Sequence, residues 1–197
     1  MTSRKVLSLL SKSLLSPLVE QGWDKIDARN YSIVEDGVQR AIAIDNIKSS
    51  MAGYKSVGEG TFLASLGVGY TRFHLGGTDE GVRKATVGVG ATSIYGYLTV
   101  PEPAPVMRPE VFDTAVLGVE GAAEACVEAY KTQGEQLFEE WANIPLALER
   151  LRSIGRIGSW PPAEHGQFDL RMPAGNPGSE HRNMTIAELE YRTSKKD

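Results

Sequence analysis

The first twenty residues carry leucines at helical spacing. Four of them recur every three or four positions, at Leu7, Leu10, Leu14 and Leu18. This spacing places them on one face of a helix. Pro17 interrupts the run, so we expect the helix to kink there or to restart with Ser16 as its N-cap. The pattern predicts an amphipathic first helix that ends near Gly22.

The pattern then changes from helical spacing to alternation. Two β-prone runs, 31–35 and 38–44, flank an Asp-Gly pair, the strongest short-range signal for a hairpin. Residues 61–74 and 85–100 alternate with a period of two, which predicts a third strand and a long fourth strand. Short connections favour antiparallel neighbours, because parallel pairing needs a long crossover. We expect a twisted antiparallel sheet of about four strands, covered by helices on one face.

A proline-rich connector after residue 100 leads to a second helical region. From residue 110 to Pro145 apolar side chains recur at three-four spacing, at Phe112, Val116, Val119, Ala123, Cys126, Tyr130, Leu137 and Trp141. This spacing predicts a long helix, and Pro145 separates it from a short one over 146–153. The fold class is therefore α+β.

The last part of the chain has a different character. Gly or Pro occupies nine of the 29 positions in 155–183, and periodicity is lost, which predicts an extended arm. Thr185 and Glu188 have capping-box spacing, which predicts a last short helix over 186–192. We expect one α+β domain over 1–154 and a Gly/Pro-rich arm over 155–197.

Composition excludes several classes of protein. The chain has 197 residues, with 21 basic and 25 acidic side chains and a net charge of −4. That charge argues against a nucleic-acid-coating protein, and a single cysteine excludes a disulfide scaffold. The N-terminus lacks a signal-peptide cleavage site, and no window offers eighteen uninterrupted apolar residues. We expect a cytoplasmic protein that does not bind a membrane.

The charge is concentrated in one segment. Residues 110–149 hold nine acidic side chains and one basic, a net charge of −8. Five glutamates in this segment fall largely away from the apolar stripe: Glu120, Glu124, Glu128, Glu135 and Glu139. Like charges four residues apart on a helix repel each other, so this face is a candidate binding surface for a basic protein partner. The alternative is that the segment pairs with the chain's own arginines in 150–197.

Catalytic and cofactor motifs are incomplete. Neither Gly67-Val-Gly69 nor Gly88-Val-Gly90 extends to a dinucleotide motif or opens a helix, and the three histidines have no close histidine partner. Cys126 lies on the apolar stripe, where a buried and unreactive thiol is expected. We therefore predict no catalytic residue, no metal site and no cofactor, and leave open whether the protein is an enzyme.

One ligand site remains as an alternative. Arg72 and His74 continue one face of the third strand, and Tyr95 and Tyr97 lie across from them if the third and fourth strands form a hairpin. An arginine, a histidine and two tyrosines at one sheet rim suit an anionic or aromatic ligand. The other interpretation is an ordinary strand end that emerges into water.

The order of the elements resembles a bacterial family, the domain of unknown function 4304 family. The resemblance covers about three quarters of the chain and rests on four segments: the run from Leu14 to Trp23, the hairpin strand Val38 to Ile44, Phe62 to Val68, and Phe138 to Leu151. It implies a compact helix–sheet–helix domain and carries over no catalytic residues.

These observations lead to three hypotheses. The first is a bacterial or phage-borne interaction protein of immunity type, which binds a basic partner through the acidic helix. The second is an assembly subunit whose residues 155–183 wrap a neighbouring copy. The third is a small-molecule binder or enzyme at the sheet rim.

Overall fold

A computed structural model describes residues 2–48, 57–70, 94–102, 108–153 and 179–195. Within these residues the fold is α+β, as the sequence predicts: helices flank an antiparallel sheet at both ends of the chain.

The N-terminal helix is continuous through its proline. It consists of α1 (Thr2–Leu10), a π-helical turn (Ser11–Leu15) and α2 (Ser16–Glu20). Ser16 keeps helical dihedral angles, and its backbone N–H donates to the carbonyl of Ser11. The wider π turn accommodates Pro17, whose ring would clash with the preceding turn of a regular helix. The predicted restart with Ser16 as N-cap is therefore wrong, whereas Leu10, Leu14 and Leu18 are buried as expected.

The sheet has five strands in sequence order, all antiparallel. They are β1 (Asp24–Lys25), β2 (Asn30–Glu35), β3 (Val38–Asn46), β4 (Phe62–Tyr70) and β5 (Ile94–Tyr97). The strand that sequence reading missed is β1. With two residues it is too short to show any period, and it forms through its pairing with β2.

The predicted hairpin joins β2 to β3. Asp36 and Gly37 both have positive φ, 49° and 71°, as a type I′ turn requires. β3 then pairs with all nine residues of β4. Of the predicted fourth strand the structure describes 94–100, where β5 ends at Tyr97, so the strand predicted for 98–100 is wrong. Residues 71–74 and 85–93 of the two predicted strands lie outside the described residues.

The second helical region contains α3 (Thr114–Ala129), a second π turn (Tyr130–Gly134), α4 (Glu135–Ala142) and α5 (Ile144–Ser153). Asp113 is the N-cap of α3, and its carboxylate accepts from the backbone N–H of Ala115 at 2.9 Å. Gly118 has a non-helical backbone with φ 73°, which kinks α3 after its first turn. Val116 is consequently 46% exposed and does not lie on the buried stripe that its spacing predicts.

The last helix is longer than the sequence indicates. It is α6 (Ser179–Ser194), whereas the predicted helix spanned 186–192. Thr185 is buried inside α6 and is not at its N-terminus, so the capping-box interpretation is wrong. Tertiary packing explains the difference, because α6 contacts α5 and β4.

One hydrophobic core joins these elements. It contains Leu10 of the first helix, Leu66 of β4, Trp141 of α4 and Leu189 of α6. Residues 155–178 of the predicted arm lie outside the described residues, and the division of the chain at residue 154 stays a prediction.

Candidate protein-binding surface

Small buried side chains allow the acidic helix to pack closely against the rest of the protein. Its buried face includes Ala122, Ala123, Cys126 and Ala129 in α3, then Leu137 and Trp141 in α4. Small residues allow α3 to approach α1 closely, and the two helices are packed together. The glutamates of this region therefore project from a helix whose opposite side is fixed in the core.

Glu120 is engaged inside the protein. Its carboxylate lies 2.5 Å from the ammonium of Lys5 on α1, and both side chains are more than half exposed. The hydrogen bond from Lys5 lowers the pKa of Glu120 below the usual range of a glutamate. Of the five predicted binding glutamates, Glu120 is the one whose charge is compensated by a described neighbour.

The other four glutamates form an exposed set that we call the acidic face: Glu124, Glu128, Glu135 and Glu139. Glu124 and Glu128 are four residues apart on one side of α3, and Glu135 and Glu139 are four residues apart on one side of α4. The second π turn lies between the two pairs. None of the four forms an ion pair with a described residue. Lys131, between the two pairs, is exposed as well.

The arginines that follow the acidic segment pair with other carboxylates. Arg150 lies 2.8 Å from Glu140, and its guanidinium sits over the ring of Trp141. Arg152 pairs with Glu190 at 2.5 Å, and Arg192 pairs with Glu188 at 2.5 Å. In the described part of 150–197, an arginine thus neutralises Glu140, but none forms an ion pair with a glutamate of the acidic face.

The alternative sheet-rim site is not assembled by the described residues. Arg72 and His74 lie outside them, so this site stays a prediction. Tyr95 is paired with Gly67 and Tyr97 with Ser65. Cross-strand partners share a face, so Tyr97 lies on the side of Ser65, opposite the buried face of Leu66. Sequence spacing had placed Arg72 and His74 on the Leu66 side.

Sequence reading missed a polar contact that ties α6 to the sheet. The guanidinium of Arg192 donates to the backbone carbonyls of Asp36 at 3.2 Å and Gly37 at 3.0 Å. It also donates to Glu188, whose side chain is 2% exposed. No local signal could have indicated this contact, because the hairpin turn and α6 lie at opposite ends of the chain.

The one cysteine is buried in α3. Burial raises the pKa of the Cys126 thiol above its ordinary value. The thiol is therefore protonated at neutral pH, as its position on the apolar stripe predicts.

Among the described residues, no group of three or more His, Cys, Asp or Glu side chains is arranged to hold a metal ion. No helix in the same ranges combines the length and apolar character needed to cross a membrane.

Comparisons with protein-family models, with curated proteins and with solved structures find no match to this chain. The resemblance to the domain of unknown function 4304 family stays a prediction.

Proposed function

We propose that this protein is an interaction protein whose acidic face binds a basic protein partner. The observation that carries the proposal is that Glu124, Glu128, Glu135 and Glu139 are exposed and lack ion pairs with the described residues, while nearby arginines pair elsewhere. A toxin-neutralising role of immunity type belongs to this class, since an acidic surface can mask a basic active site.

Electrostatics favours a binding role for this face over a purely solubilising one. Like charges four residues apart cost an isolated helix a few tenths of a kcal/mol per pair. A cationic partner would remove that repulsion and would be attracted from a distance, which accelerates encounter. The buried opposite side of α3 and α4 holds the carboxylates on a fixed backbone, so the side chains alone need to be ordered on binding.

We further infer a cytoplasmic location, which the lone free thiol of Cys126 supports. The assembly hypothesis concerns residues 155–183, of which the structure describes 179–183. Self-association through residues 155–183 stays a prediction.

The test compares charge-matched variants in affinity capture from a bacterial extract. Two variants remove charge from the acidic face: Glu124→Gln with Glu128→Gln, and Glu135→Gln with Glu139→Gln. The control, Glu20→Gln with Glu149→Gln, removes the same charge at exposed positions elsewhere. Captured proteins are quantified by mass spectrometry at about 0.1 M and about 1 M salt, between which the Debye length falls from about 10 Å to about 3 Å.

We expect a basic protein to be retained by the wild type and by the control at low salt, and to be lost at high salt. Each face variant should retain it several-fold less well. Equal retention by all variants, or retention that salt does not change, would refute the proposal.

A further inference from the structure

The last helix, α6, is attached to the rest of the protein with little apolar burial. Among its described side chains, which begin at Thr185, Leu189 is the one hydrophobic residue that is fully buried, and Ile186 packs against the core in part. The N-terminal helix, by comparison, buries five hydrophobic side chains: Val6, Leu10, Leu14, Leu15 and Leu18. Because hydrophobic stabilisation grows with the apolar area removed from water, α6 gains less of it than the N-terminal helix does.

A buried ion pair makes up part of the interface of α6. Glu188 is 2% exposed, and its carboxylate pairs with the guanidinium of Arg192 at 2.5 Å. The loss of hydration of two buried charges offsets much of their attraction, so such a pair adds little net stability. Both charges belong to α6, so both regain water when the helix leaves, and no unpaired charge stays buried behind it. The pair therefore permits α6 to leave but makes the loss of either partner costly while the helix is docked.

The guanidinium of Arg192 also contacts the hairpin turn between β2 and β3. It donates to the carbonyls of Asp36 at 3.2 Å and of Gly37 at 3.0 Å. A Cβ at Gly37 would lie 2.8 Å from Nη1 of Arg192, so the guanidinium occupies space that a side chain at Gly37 would need. These hydrogen bonds join the C-terminal end of α6 to the turn, and water can replace them when the helix leaves.

The rest of the described structure, β1–β5 with α1–α5, which we call the body, has connections of its own. All nine residues of β3 pair with β4, and no strand of the sheet takes a residue from α6. Tyr70 of β4 donates to the carbonyl of Trp141 in α4, which joins the sheet to the helical layer. The departure of α6 therefore breaks no strand pairing and leaves this bond between sheet and helices in place.

We propose that α6 is a strap that docks on the body and leaves it as one unit while the body stays folded, and that Arg192 holds it closed. Proteins open locally in cooperative units, and units with few buried apolar contacts open at the lowest free energy. Opening uncovers the parts of α5 and β4 on which α6 packs, together with the carbonyls of the hairpin turn. The strap does not depend on the function proposed for the acidic face.

Native-state hydrogen exchange of the full chain, measured by mass spectrometry at increasing urea below the unfolding transition, tests the proposal. Peptides from α6 are compared with peptides from β3 and β4. Arg192→Met removes the cation that faces Glu188 and the turn. Arg152→Met is the matched control, because it removes an arginine that pairs with α6 at an exposed site, through Glu190. Ile42→Val weakens the core of the body instead.

We expect α6 to exchange at a lower free energy and with a weaker dependence on urea than β3 and β4, because the opening of one helix exposes less surface than global unfolding. Arg192→Met should accelerate exchange in α6 about 100-fold, or to the rate of an unprotected peptide. Arg152→Met should accelerate it at most about fivefold. Ile42→Val should accelerate exchange in β3 and β4 about two- to tenfold and leave α6 unchanged, since it destabilises the body equally whether the strap is open or closed.

The proposal is overturned if α6 exchanges with the same free energy and urea dependence as β3 and β4, or if Ile42→Val accelerates α6 as much as the strands. Either result would show that α6 opens only when the body unfolds. Wild-type α6 that exchanges without protection, or equal effects of Arg192→Met and Arg152→Met, would also overturn it. Should Arg192→Met fail to fold, as checked by circular dichroism, Arg192→Lys replaces it. That variant keeps the charge but loses the planar fork of donors, and should still accelerate α6 more than Arg152→Met does.

Discussion

The phenol of Tyr70, the last residue of β4, donates a hydrogen bond of 2.7 Å to the backbone carbonyl of Trp141 in α4. Both residues are almost completely buried. The bond satisfies a carbonyl near the C-terminus of a helix, where no intrahelical donor remains. It fixes the C-terminal end of α4 against the end of β4.

Tyr70→Phe should lower the free energy of unfolding by about 1–3 kcal/mol, because it leaves the buried carbonyl of Trp141 unpaired. Urea denaturation measures this change. The control is Tyr31→Phe, since Tyr31 is also buried but its hydroxyl makes no hydrogen bond with a described residue. A loss of equal size in both variants would mean that removal of a buried hydroxyl, and not the hydrogen bond to Trp141, is responsible.

Ionisation of Tyr130 should lower the stability of the folded protein at alkaline pH. Burial, followed by the nearby Glu135 carboxylate, raises the pKa of Tyr130 to about 12, against about 10 for an unfolded tyrosine. The unfolded state therefore releases this proton first. The contribution of Tyr130 is fully present below about pH 10 and is lost as pH rises through about 12, a decrease of about 2–3 kcal/mol.

Urea denaturation between about pH 9 and pH 12 tests this prediction, with Tyr130→Phe as the comparison. The variant should lose less stability over that interval than the wild type. An equal decrease in the free energy of unfolding for Tyr130→Phe and the wild type would contradict the prediction.

Two glycines of the acidic helix region should respond to alanine in opposite directions. A Cβ at Gly134 would lie 2.9 Å from Cδ2 of Tyr130 and 3.0 Å from Cδ1 of the buried Leu66. Overpacking should outweigh the gain in helix propensity, so Gly134→Ala should destabilise the protein by about 1 kcal/mol. At Gly121 the nearest atom is 3.8 Å away, and Gly121→Ala should stabilise by about 0.5–1 kcal/mol. Thermal melts of the two variants measure both changes in stability. A Gly134→Ala variant more stable than the wild type would show that the second π turn shifts at little cost to accommodate the added Cβ.

The contact of Arg192 with the hairpin should hold α6 in place. Arg192→Met leaves the buried carboxylate of Glu188 without its cation, which should cost about 3 kcal/mol. Arg152→Met should cost less than about 1 kcal/mol, because its pair with Glu190 is half exposed. Guanidinium denaturation compares the two, and adding Glu188→Leu to Arg192→Met should restore part of the loss. Equal costs for Arg152→Met and Arg192→Met would contradict the assigned role of the contact.

Local patterns predicted most of the fold. The leucine spacing of the first helix, the Asp-Gly turn and the alternation in β4 each depend on neighbours a few residues apart, and the structure confirms them. The predictions that are wrong concern breaks in regular geometry or contacts between distant elements. The full length of α6 follows from packing against α5 and β4. The π turn before Pro17 and the exposure of Val116 at the Gly118 kink are changes of backbone path that a regular helical period does not predict.

The candidate sites likewise combine features that the sequence predicts with contacts that only the fold creates. Sequence by itself determined that residues 110–149 carry a net charge of −8 and that their glutamates lie away from an apolar stripe. Only the tertiary structure decided that Lys5 pairs with Glu120, that three arginines pair with Glu140, Glu188 and Glu190, and that Arg192 also contacts the hairpin turn. The physical reason is that charge and periodicity are properties of short segments, whereas an ion pair or a contact between a helix and a turn depends on which distant segments the fold brings together.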